Sequence, residues 1–174
     1  APDGAGEAAA GHAELGAEPV VHAAVVRQRL RLIPPGTFTM GSPEDELGRY
    51  DDEGPQHEVT IGAGFWLFAT PVTQALYEAV TGENPSKSKG AERPVESVNW
   101  NEARAFLARF NESVPGLGLA LPSEARWEYA CRAGTVTPRW AEPLDDIAWY
   151  SDNSNQRTQP VALKKSNPWG LYDM

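Results

Sequence analysis

The chain has 174 residues, enough for one domain, and its 41% hydrophobic and 22% charged residues describe a globular protein rather than a disordered one. Its net charge of −9, from 15 Lys+Arg against 24 Asp+Glu, would repel a phosphate backbone and excludes nucleic acid as a partner. The uncharged aromatic stretch Ile61–Val72 is too short for a bilayer, so no membrane span is expected, and the single Cys131 excludes an internal disulfide.

Residues 1–22 are rich in alanine and glycine and hold no aromatic side chain, which predicts a disordered or linker-like tail with the folded domain over 23–174. His12 and His22 lie in that tail without a partner at ligand spacing and read as solvated side chains. From Val25 onward Arg27, Arg29 and Arg31 alternate with Gln28, Leu30 and Leu32, the period of a strand with charge on one face. A turn at Pro34-Pro35-Gly36 leads into a second short strand with Phe38 and Met40 on a common side. The acidic stretch from Glu44 to Glu53 lacks EF-hand spacing and reads as a solvated loop. Next, His57, Val59 and Ile61 alternate, and Phe65–Ala69 is an apolar run of strand length that can pair with them.

Three helices follow. Thr73 caps the first, with Leu76, Tyr77 and Val80 on one face and Gly82 beyond its end. Asn99 and Glu102 form a capping-box pattern for the second, whose apolar stripe is Ala103, Phe106, Leu107 and Phe110. Ser123 caps the third; Trp127, Ala130 and Cys131 form its inward stripe, and Gly134 closes it. Ser123 and Glu124 have no histidine base within reach of sequence logic, so capping and a buried charge network account for them better than nucleophilic chemistry. Beyond Gly134 the periodicity fades, and Trp140, Trp149, Tyr150, Trp169 and Tyr172 are expected to pin long loops onto the core. With 16 glycines and 15 prolines, the chain reads as a loop-rich α+β domain.

Six segments, taken together, resemble the formylglycine-generating-enzyme, or sulfatase-modifying-factor, domain family. They are Ile33–Glu46 (IPPGTFTMGSPEDE), Glu53–Ile61 (EGPQHEVTI), Phe65–Ser86, Arg93–Phe106 (RPVESVNWNEARAF), Leu121–Gly134 (LPSEARWEYACRAG) and Asn167–Met174 (NPWGLYDM). The resemblance implies a C-type-lectin-like fold, α+β with short twisted strands and about three helices, and it implies that the domain is incomplete at its carboxy-terminal side. In catalytic members a cysteine pair binds copper and oxidises a substrate-protein cysteine to formylglycine; soft thiolates suit that ion. That pair is absent from this chain, where the lone Cys131 reads as a packed core thiol. The resemblance also implies a calcium site matched by Asn153, to which Asp152 and Asn155 could add oxygen ligands; an asparagine-rich turn is the alternative.

Two functions follow from the resemblance. One is the amino-terminal part of a copper-dependent formylglycine-generating oxidase, inactive as this fragment alone. The other is a non-catalytic module binding a protein or peptide ligand, like the variable proteins of diversity-generating retroelements. In either case a second polypeptide could complete the fold, since strands near Val25–Ile61 and Trp66 would otherwise expose edges. The compartment is left open.

Overall fold

Alternation, turn chemistry and capping place nearly every element where the sequence predicts it, but the pairing of the strands differs. The computed structural model describes residues 20–23, as backbone, and 26–174. Strands β1 (Val20–Ala23), β2 (Val26–Ile33) and β5 (Phe65–Phe68) form an antiparallel sheet in the order β1-β2-β5, while β3 (Gly36–Met40) and β4 (His57–Ile61) form a separate antiparallel pair. Thus β4 and β5 do not pair with each other. The Gly62–Gly64 link carries the chain from one sheet to the other, and each strand returns to an earlier partner: Phe38 lies opposite Val59, and Leu30 opposite Phe68.

The predicted tail over residues 1–22 is too long. Residues 1–19 lie outside the described residues, but Val20–Ala23 is a strand whose register pairs Val20 with Arg29 and Ala23 with Val26. A ladder of main-chain hydrogen bonds to β2 satisfies a segment whose side chains alone could not order it.

Helix α1 (Gln74–Thr81) starts where the Thr73 hydroxyl accepts from Leu76 N and ends at Gly82, whose φ of 82° is the left-handed conformation glycine adopts freely. Helix α2 (Trp100–Ser113) has the predicted reciprocal cap, Asn99 accepting from Glu102 N and Glu102 accepting from Asn99 N. Helix α3 (Glu124–Arg132) is capped by Ser123, which accepts from Arg126 N. A fourth, one-turn helix α4 (Leu144–Ile147) is too short for periodicity to reveal.

Strand β2 is central and buries side chains on both faces. Leu30 joins Leu76, Tyr77, Phe106 and Phe110 under α1 and α2, with Tyr77 stacked on Phe106 at 5.3 Å. Ile33, on the opposite face, joins Ile61, Tyr129, Ala130 and Leu171 under α3. Here the sequence reading needs correction. The buried residues of α3 are Tyr129 and Ala130, while Cys131 is half-buried and Trp127 remains 46% exposed. The helix is turned toward Tyr129 because that ring is held between Phe38 (5.3 Å) and Trp169 (4.9 Å). Gly36 makes room for it: a Cβ there would lie 2.3 Å from the Tyr129 hydroxyl. No helix among the described residues is long and apolar enough to cross a membrane.

Candidate binding groove and the expected metal site

The run FWLF alternates, so its side chains divide between two faces. Phe65 and Leu67 pack under α3, whereas Trp66 and Phe68 share the face of Leu32 and Leu30. The α1/α2 pair covers only the Leu30–Phe68 end of that face. The other end, Leu32 opposite Trp66, is left 56% and 48% exposed. Beside Trp66 lies an open apolar groove of about 320 Å³ with Phe68 and Phe106 in its lining and Leu121, Trp127 and Met174 at its sides. Leu121 is also exposed, and Trp100 stands out on the neighbouring surface beneath the Arg104 guanidinium at 4.7 Å. Three of the six tryptophans therefore show large exposed faces in one part of the molecule, whereas Trp140, Trp149 and Trp169 are half-buried, as expected of loop anchors.

The sequence does not reveal this groove, because a continuous apolar run and a helical stripe look the same whether covered or not. The period-two alternation of β5 puts Trp66 on the Phe68 side, but only the tertiary packing reveals that the helices stop short of it.

The final residues close one end of the groove. Asn167 is buried; its amide donates to Ala130 O (2.7 Å) and Cys131 O (3.1 Å), and its oxygen accepts from Trp169 N and Leu171 N, both at 3.0 Å. One side chain thus satisfies carbonyls at the end of α3 and shapes the following turn. Tyr172 N donates to Ala69 O at 2.9 Å, bringing Asp173 and Met174 beside the groove. Asp173 accepts from Ala162 N at 2.8 Å through one carboxylate oxygen, while the other is buried without a partner, and burial pushes its pKa up.

The expected calcium residues fit a cage poorly. Asn153 is half-buried with both ends of its amide engaged: its oxygen accepts from Tyr150 N (2.9 Å), and its nitrogen donates to Ala148 O (3.1 Å) and Asp145 Oδ1 (3.2 Å). Asp152 and Asn155 are exposed, and Asp152 accepts from the adjacent Ser151 hydroxyl. Among the described residues no three His, Cys, Asp or Glu side chains gather at metal-binding range. The Tyr150 hydroxyl, 2.6 Å from Asp145, and then Asn153 hold the Asp145 carboxyl below its usual range, so these groups form a hydrogen-bonded loop brace. Nor does Cys131 supply a copper site. It is one thiol where two are needed, and desolvation raises its pKa away from the thiolate form.

Ser123 acts as a cap, but Glu124 is exposed and outside any buried network. The network lies one turn later, where Glu128 accepts from Gly41 N (2.9 Å) and from Arg132, which also donates to Gly41 O (2.9 Å). Glu124 and Glu128 lie at i and i+4 on one face of α3, and it is Glu128, a turn further along, that comes level with Gly41 at the end of β3.

Against known proteins, the family of the sulfatase-modifying factor enzyme 1-like domain matches residues 20–174. The chaperone protein LppX of Paenibacillus barcinonensis is 27% identical over 63% of this chain and 58% of its own length. The formylglycine-generating enzyme of Mus musculus is 30% identical over 68% of this chain and 33% of its own length. Among solved structures, PvdO from Pseudomonas aeruginosa superposes with a TM-score of 0.76 at 26% identity, covering 90% of this chain and 70% of PvdO. Variable protein 1 of Treponema denticola gives 0.78 at 26% identity, covering 89% and 72%. The chain thus spans between a third and three-fifths of the two curated relatives, and its architecture is the C-type-lectin-like α+β fold expected.

Proposed function

Because the chain belongs to the formylglycine-generating, sulfatase-modifying-factor family, we propose that it supplies that family's scaffold as a polypeptide-binding module, holding a protein or peptide segment in the groove beside Trp66. The observation that carries this reading is the cluster of exposed Trp66, Leu121 and Trp127 around an apolar groove of about 320 Å³. Tryptophan in a partly formed apolar cleft is the residue type that dominates the energy of protein interfaces. Similarity both to a chaperone protein and to a formylglycine-generating enzyme supports a scaffold that outlasts any one chemistry.

The oxidase reading places its copper thiolates in polypeptide outside these 174 residues. Copper held by a thiolate pair needs two cysteines, and this chain has Cys131 alone. The test incubates the 174-residue chain with copper(I), oxygen and a capped cysteine-bearing peptide. Peptide binding with the thiol intact supports the module, and oxygen-dependent loss of the peptide thiol overturns it.

A further inference from the structure

We draw no further inference here: the strongest candidate, the cavity of about 420 Å³ between the Trp149–Gln159 loop and Asp173, where Trp149 Nε1, Thr158 Oγ1 and Asp173 Oδ1 are buried without a hydrogen-bond partner among the described residues, is walled on one side by Asp173 and Met174, and nothing in the structure shows what covers it.

Discussion

The two faces of the β2–β5 ribbon differ both in residues, with Arg27, Arg29 and Arg31 beside Ile33 on one and Leu30 and Leu32 on the other, and in how they are finished. Under α3 the face is closed: Ile33 is fully buried, Tyr129 fills the space opposite Gly36, and Asn167 uses four hydrogen bonds to fold the chain's last turn over Leu171. Under α1 and α2 the face is closed at Leu30 and Phe68 and open at Leu32 and Trp66. Both faces carry apolar side chains, Ile33, Phe65 and Leu67 on one and Leu30, Leu32, Trp66 and Phe68 on the other, so an apolar side chain does not by itself mark the binding surface. What marks it is the point where the covering helices end while the apolar strand continues.

Mutations can break or sharpen this contrast. At the closed end, Phe110→Ala should cost about 3–5 kcal/mol in chemical unfolding, since the ring is fully buried against Phe68 and Phe106. Gly36→Ala should cost about 1–3 kcal/mol by forcing Tyr129 from between Phe38 and Trp169, and a Gly36→Ala/Tyr129→Phe pair, which removes the clashing hydroxyl, should lose less than the single change. Trp66→Ala should cost about 1–3 kcal/mol, less than Phe110→Ala because the side chain is half exposed, and it should abolish peptide binding.

Asp173 gives the opposite sign. Its pKa is raised by burial, so the folded state binds the proton more tightly than the unfolded chain. Its favourable share is present below the ordinary carboxylate range and is lost as pH rises through the folded value. Asp173→Asn should therefore stabilise the protein by about 1 kcal/mol at pH 7, and the gain should vanish in thermal unfolding near pH 3.

Local chemistry was legible in the sequence. Thr73, Asn99–Glu102 and Ser123 cap as their side chains require, and the arginine alternation located β2. Sheet partners were not legible, because HEVTI and FWLF are equally good strands and only the path of the chain through Gly62–Gly64 separates them. The face of α3 was misread for a related reason: Trp127 and Tyr129 are both aromatic, and the choice between them is made by Phe38 and Trp169, which are distant in sequence. Asn153 reads as a calcium ligand by resemblance, with an asparagine-rich turn as the alternative; its two-ended bracing of Tyr150, Ala148 and Asp145 depends on α4, which no period reveals.

The most direct test of the account is an indole-resonance titration of the intact chain with the capped cysteine-bearing peptide. Saturable shifts of Trp66 and Trp127, with Trp140 and Trp169 unmoved, are the predicted result. A saturable response confined to the half-buried tryptophans, or none at any of them, would contradict it.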